Sequence, residues 1–336
     1  MKLKEFVYDL PKELIAQEPL KKRDTSRLMV MDRAAKTAKM GAFRDILAHI
    51  KKGDCVVFND TRVVPVRFYG KRKTGGKVEI FLLNPWEKSL EALVRPSKRV
   101  KEGEVVELEN GINVTVGGRT DIGRSVEFNV PLADALKTGH VPLPPYISRE
   151  DNDEDKETYQ TVYARKPGAT ASPTAGLHFT EELISEIKNK GAEIAYVTLH
   201  TSYGTFAPVS TEEIEDHPMH EEYYELTDSA ARSINTAKRS GGKVLAVGTT
   251  SVRVLETAAA ENGTVEAGSG MTCIFIYPGY RFKIIDGMVT NFHLPGSTLL
   301  MLVSAFADRE FVVRTYEQAI KEKFRFFSYG DAMLIV

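Results

Sequence analysis

VRFYG at 66–70, KVEIFLLN at 77–84, LEALVR at 90–95, EVVELEN at 104–110, INVTV at 112–116 and SVEFNV at 125–130 follow one another, separated by breaks such as GG, KEG, ENG and GGRTDIG. Short apolar or alternating runs at this spacing, punctuated by glycine turns, predict a small all-β barrel or sandwich. The next stretch, HVPLPPYISREDNDEDKET at 140–158, combines clustered prolines with an acidic run. Both features oppose regular structure, so the segment reads as a surface connection that closes the β module.

Beyond this boundary the rhythm changes. A helix is expected from Thr180 (TEELISEIKNKG), a strand at EIAYVTLH, a helix from Asp228 to Gly241 and Gly242, a strand at KVLAVG and a helix over SVRVLETAAAENG. Strands alternating with helices predict α/β layers. The opening segment carries a matching strand–helix–strand pattern in RLMVMD, FRDILAHI and DCVVFND. The expected fold is therefore an α/β main domain with an inserted small all-β barrel domain. Residues 1–62 and 150–336 form the discontinuous α/β part, residues 63–149 form the barrel, and no internal repeat is visible.

The bulk composition agrees with a soluble globular chain: 336 residues, 42% hydrophobic and 27% charged, are enough for one large core or two. No apolar run reaches the roughly 20 residues that span a bilayer, and charges enter the first residues too early for a secretory signal. No membrane association and a cytoplasmic location are expected. Cys55 and Cys273 lie in apolar runs, DCVVFND and TCIFIY, without a CxxC partner. Both are expected to be core residues rather than disulfide or thiolate–zinc partners. The net charge of −1 gives no overall pull towards nucleic acid, but residues 62–103 hold 11 Lys or Arg against 4 Asp or Glu, which predicts a local basic face.

The residues that suggest chemistry stand where a strand ends and a loop or helix begins, the position at which open α/β sheets bind ligands. FNDTRVVP places Asn59, Asp60, Thr61 and Arg62 after the apolar run CVVF; an Asx-type turn with a surface arginine is the plainer reading of the same residues. GATASPTAGLHFT supplies Thr174, a glycine, Gly176, that allows close backbone approach, and His178 ahead of the Thr180 cap. VTLHTSYGTFAPV ends a strand in His200 and continues into a hydroxyl-rich loop with Gly204 and Thr205, suited to ribose or carboxylate oxygens; an ordinary turn packed by Tyr203 and Phe206 is the alternative. AVGTTSVRVLE sets Gly248, Thr249, Thr250 and Ser251, with Arg253, at a helix start whose free N–H groups favour anions. NFHLPGSTLLMLVSAF brings Asn291 and His293 before an apolar helix that begins near Ser297.

Other patterns compete. HPMHEE offers His217 and His220 with Glu221 or Glu222 as metal ligands, but this spacing lacks a third distant ligand motif. Arg23 and Arg27 flank Ser26 and suit phosphate, or are plain surface arginines. FRFFSYGDAMLIV packs Phe324, Phe326 and Phe327 beside Arg325, Tyr329 and Asp331, which suit stacking and orienting a base, although core packing explains the phenylalanines equally well. No GxGxxG follows an expected strand and no GxxxxGK[ST] occurs, so a nucleoside must be held in another way.

Taken in order, the blocks YDLPKELIAQEP, NDTRVVPVRFYG, TGGKVEIFLL, PPYISREDNDEDKETYQTVYA, PTAGLHFT, VTLHTSYGTFAPV, HPMHEEYYEL, VGTTSVRVLE, IFIYPGY, TNFHLP and FRFFSYGDAML closely resemble the S-adenosylmethionine:tRNA ribosyltransferase-isomerase family of queuosine biosynthesis, over essentially the whole chain. The resemblance implies a tRNA substrate carrying 7-aminomethyl-7-deazaguanine at the wobble position in the anticodon stem-loop. It implies S-adenosylmethionine consumed as ribosyl donor, with no cofactor and no metal, and epoxyqueuosine-tRNA, adenine and methionine as products. In such a reaction the sulfonium acidifies the adjacent C5′–H, so an ylide, loss of adenine, addition of the aminomethyl nitrogen and epoxide closure with loss of methionine follow in turn. That chemistry needs acid–base groups, for which His178, His200, His293 and Asp60 are the candidates. Thr249, Thr250, Ser251 and Arg253 are then expected at the donor, Arg62 and Arg165 at tRNA phosphate, and a monomer is expected. Rival readings are a methyltransferase using the same donor, a non-catalytic RNA-binding protein gripping tRNA through the β module, and a zinc hydrolase built on HPMH.

Overall fold

The structure is a computed structural model that describes residues 1–85, 89–202, 204 and 209–336, without the side chain of Asn110. Among these residues the amino-terminal part forms β1 (Arg27–Asp32), β2 (Thr37–Ala42), a 3-10 helix (Phe43–His49), β3 (Cys55–Asn59) and a short β4 (Thr61–Val63). Six strands follow: β5 (Arg67–Arg72), β6 (Lys77–Leu82), β7 (Glu91–Arg95), β8 (Glu104–Leu108), β9 (Asn113–Arg119) and β10 (Arg124–Phe128). They close into a barrel in the order β10-β7-β6-β5-β8-β9. Alternate residues such as Val114 and Val116 point inward to a core of their own with Phe68, Ile80 and Val106, as a half-buried strand requires.

After the barrel come α1 (Leu132–Leu136), α2 (Asp155–Thr158) and β11 (Lys166–Ala169), which pairs in parallel with β4. The barrel strands thus leave and rejoin the rest of the chain at one two-stranded seam. The remainder comprises α3 (Glu181–Asn189), β12 (Glu193–Leu199), β13 (Glu222–Leu226), α4 (Asp228–Arg239), β14 (Val244–Val247), α5 (Thr249–Ala258), β15 (Gly268–Thr272), β16 (Gly287–Asn291), α6 (Thr298–Ala307), α7 (Arg309–Lys321) and β17 (Ala332–Ile335). These strands join β1, β2 and β3 in a nine-stranded sheet of order β15-β13-β12-β3-β14-β16-β17-β1-β2.

Within that sheet β12, β3, β14 and β16 are mutually parallel. The residues of β3 and β14 are buried on both faces, which is why CVVFN and VLAV read as continuous apolar runs and not as alternations. Cys55 and Val57 of β3 face α4 to α7, whereas Val56 and Phe58 face α3 and the Phe43–His49 helix. The caps follow the sequence: Thr180 Oγ1 accepts from Leu183 N at 3.1 Å and Ser297 Oγ accepts from Leu300 N at 3.2 Å.

Four expectations need correction. FRDILAH is a 3-10 turn preceded by a strand, TAKMGA, whose largely exposed edge position hides any alternation. TCIFIY is not a strand; pairing stops at Thr272, and Cys273 is exposed while Cys55 is buried. The acidic connection is not wholly solvated, because Asp155 is buried against Arg149 at 2.6 Å and the Tyr329 hydroxyl at 2.9 Å. The carboxy-terminal helix α7, without sequence punctuation of its own beyond Asp308, was not anticipated.

Candidate active site

Parallel strands align their carboxyl ends, so the segments after β12, β14 and β16 open on one edge of the sheet. In chain order the progression reverses beside β3, and ligands sit at such a switch point. A cleft opens there, lined by Thr174, Gly248, Thr249, Thr250, Asn291 and His293 together with Tyr146 and Phe327. A second cleft adjoins it across Thr201, Thr249, Thr250 and Leu299 and carries Gly204, His217, His220, Glu222 and Arg253. Gly248 makes the turn between β14 and α5 with φ of +87°, a conformation that a side chain strains.

His293 is the imidazole at the cleft. Its Nε2 lies 2.7 Å from Thr290 Oγ1, its backbone N–H donates to the Tyr316 hydroxyl at 3.1 Å, and its carbonyl accepts from the Tyr8 hydroxyl. Burial pushes its pKa down to about 3, so the ring is neutral at physiological pH.

His178 stands behind the cleft wall. Asn291 Nδ2 donates to His178 Nε2 at 3.1 Å and to the Phe327 carbonyl at 3.1 Å, while Asn291 Oδ1 accepts from Thr174 Oγ1 at 3.0 Å. This network fixes the tautomer: Nε2 accepts, and Nδ1–H donates to Ser26 Oγ at 2.7 Å. The ring also stacks on Phe43, 4.9 Å between centroids. Burial, with the Arg325 and Arg23 charges nearby, lowers its pKa to about 3. With both nitrogens engaged, His178 positions Asn291 and Thr174 and does not face the cleft.

The other candidate acid–base groups are also engaged away from it. His200 Nδ1 lies 2.8 Å from Thr61 Oγ1, its ring stacks on Tyr223, and burial lowers its pKa. Asp60 accepts from Thr198 Oγ1 at 2.7 Å and from Arg165 Nη2 at 2.8 Å. Asn59 bonds the Leu199 carbonyl, the Leu199 N–H and the Thr61 N–H, splicing β3 to the end of β12. Ser251 donates to the Val247 carbonyl at 2.7 Å. Asp331 accepts from the backbone N–H groups of Arg27 and Arg325 and from the Arg27 guanidinium.

Gly176 permits close packing, since a Cβ there would sit 1.9 Å from the Tyr163 hydroxyl. Tyr329 borders a separate cleft with Arg23, Ser26 and His178. Arg62 is exposed, and Arg165 lies over the Tyr196 ring at 4.6 Å with most of its side chain in solvent. Thr205, like Tyr203 and Phe206, lies outside the described residues.

Glu222 turns towards Arg253 and accepts from Ser202 N at 2.9 Å, so the HPMHEE segment presents a carboxylate to a guanidinium. Among the described residues no group of three or more His, Cys, Asp or Glu is placed to hold a metal. Sequence reasoning passed over Tyr146, Phe327 as a wall residue, and Thr290. An aromatic in a proline-rich loop, PPYIS, was the available signal for the first.

The family profile described as "Queuosine biosynthesis protein" matches residues 3–335. The chain belongs to this family. Relatives in the queuosine biosynthesis family named S-adenosylmethionine:tRNA ribosyltransferase-isomerase include those of Desulforamulus reducens, 52% identical over 347 aligned residues, and Caldanaerobacter subterraneus subsp. tengcongensis, 52% identical over 349. Each alignment covers 100% of both chains. The crystal structure of S-adenosylmethionine tRNA ribosyltransferase from Thermotoga maritima is 36% identical, covers 99% of this chain and 100% of its own, and superposes with a TM-score of 0.57. Barrel, seam and nine-stranded sheet all fall within the family match.

Proposed function

We infer that the chain is an S-adenosylmethionine:tRNA ribosyltransferase-isomerase. It transfers and isomerises the ribosyl moiety of S-adenosylmethionine onto 7-aminomethyl-7-deazaguanine at the wobble position of tRNA, giving epoxyqueuosine-tRNA, adenine and methionine. The observation that carries the reading is identity of 52% with enzymes of that name, over the whole of this chain and the whole of theirs.

The site residues take their parts in this reading from where they stand. The cleft at the ends of β14 and β16 receives the ribosyl group. His293, neutral and paired with Thr290, exchanges a proton with the ribosyl moiety as the C5′–H is lost and adenine leaves. Tyr146 and Phe327, inclined at 49° with ring centroids 4.8 Å apart, give apolar ring surface against which a purine-like ring packs. Thr249 and Thr250, at a helix start, hold polar donor oxygens. His178 acts through Asn291 and Thr174 as a positioning residue. Arg62 and Arg165, on the surface beside the β4–β11 seam, meet tRNA phosphate. S-adenosylmethionine is consumed as a substrate, and the enzyme acts as a monomer. No helix among the described residues is long and apolar enough to cross a membrane, and a cytoplasmic site of action fits a tRNA substrate.

The test is one incubation with S-adenosylmethionine and tRNA bearing the aminomethyl-deazaguanine, followed by nucleoside mass spectrometry and assay of free adenine. Adenine and methionine with an epoxycyclopentane-bearing nucleoside are expected. S-adenosylhomocysteine in their place would make the protein a methyltransferase, and no product would make it a binding protein.

A further inference from the structure

Arg253 is an unusual residue to find inside a protein. It is 6% exposed, and its Nη1 donates to Glu222 Oε2, yet neither Nε nor Nη2 has a hydrogen-bond partner among the described residues. Buried guanidinium donors left unpaired cost free energy, so such an edge is retained where a ligand completes it. Nε–H and one Nη2–H lie on the same edge of the guanidinium plane, at the separation of the two oxygens of a carboxylate. The Glu222 contact on Nη1, with Glu222 itself held by Ser202 N at 2.9 Å, locks the plane in place.

We propose that the second cleft seats the α-carboxylate of the donor's methionine moiety on the Nε–Nη2 edge of Arg253. Thr250, three residues earlier on α5, shares its helix face and has a buried Oγ1 that also lacks a partner among the described residues. The start of α5 adds the partial positive charge of free backbone N–H groups. Ile274, Phe275, Leu299 and Leu302 line the same cleft with apolar surface suited to methylenes beside a sulfur. Because the two clefts meet at Thr249 and Thr250, a molecule anchored by its carboxylate at Arg253 extends its sulfonium and ribosyl group towards His293. The assignment rests on S-adenosylmethionine being the donor and adds which end of it selects the enzyme.

The test compares S-adenosylmethionine with its decarboxylated counterpart, using adenine release in the presence of tRNA bearing the aminomethyl-deazaguanine. For the wild-type enzyme kcat/KM is expected to fall about 100-fold without the carboxylate, mostly through KM, as loss of a charge-assisted bidentate pair implies. Arg253→Lys keeps a cation beside Glu222 but lacks the fork, so its preference between the donors is expected to shrink to about tenfold or less. A purely structural arginine would lower both rates and leave their ratio alone, which would overturn the proposal. Equal use of the two donors by the wild type would overturn it as well, and that result stands even if the variant does not fold. Release of adenine from neither donor would instead overturn the reaction itself, and this proposal with it.

Discussion

Acidification tests the two imidazoles on either side of the cleft wall. His178 and His293 have folded-state pKa values of about 3 against an ordinary 6.5, so between these values the unfolded chain binds protons that the folded chain refuses. Stability therefore rises with pH across that window and falls as the pH drops below 6.5. The loss at about pH 5 relative to pH 7.5 is about 2 kcal/mol for each ring, or about 4 kcal/mol together, since one pKa unit corresponds to about 1.4 kcal/mol. Urea unfolding at the two pH values measures this directly, with the extrapolated free energies compared at constant m. His178→Gln lacks one of the rings. It starts less stable, but its loss on acidification is expected to be about 2 kcal/mol smaller than that of the wild type. Carboxylates titrate alike in both proteins and cancel in the difference. If the variant and the wild type lose the same amount, His178 is not held neutral, and the tautomer deduced from Asn291 and Ser26 is wrong.

Three further outcomes follow from single contacts. Thr250→Val removes a hydroxyl that is buried without a partner among the described residues, so the unfolding free energy from urea titration should stay within about 0.5 kcal/mol of wild type while KM for S-adenosylmethionine rises; an unchanged KM would place Thr250 outside the donor site. Gly176→Ala puts a Cβ 1.9 Å from the buried Tyr163 hydroxyl, and the overpacking should cost about 1–3 kcal/mol in the same assay. Wild-type stability there would show that the loop adjusts freely. Asp60→Asn disrupts the carboxylate that accepts from Thr198 and Arg165 but lies behind the cleft; because Arg165 is mostly exposed, a loss of about 1–2 kcal/mol is expected, with donor KM unaltered. A raised KM at normal stability would bring Asp60 back as a substrate ligand.

Residues 63–130 show their barrel plainly because each strand buries one face, and burying one face imposes a period of two that glycine turns interrupt. The parallel strands β3 and β14 were legible for the opposite reason: buried on both faces, they appear as uninterrupted apolar runs that end in polar residues, whereas GMVTN of β16 carries no such run. Those ends also pointed to the candidate cleft, since a parallel arrangement brings every carboxyl terminus to one edge. The sequence could not separate residues that face the cleft from residues that brace it. His178, His200 and His293 look alike as strand-end histidines, and Asn291 decides between the first and the last by spending its amide on His178 and on the Phe327 carbonyl, 36 positions away. Asp60 and Asp331 have the composition of catalytic carboxylates, but donors distant in sequence occupy their oxygens. Arg253 looks like any helical arginine until Glu222, 31 residues earlier, takes one side of its guanidinium while the other has no partner among the described residues. Periodicity and chain order, which are local, gave the layers and the edge where the candidate cleft lies; hydrogen-bond partners about 30 to 300 residues apart come together only when the sheet assembles, and they separate polar side chains that brace the cleft from those that face it.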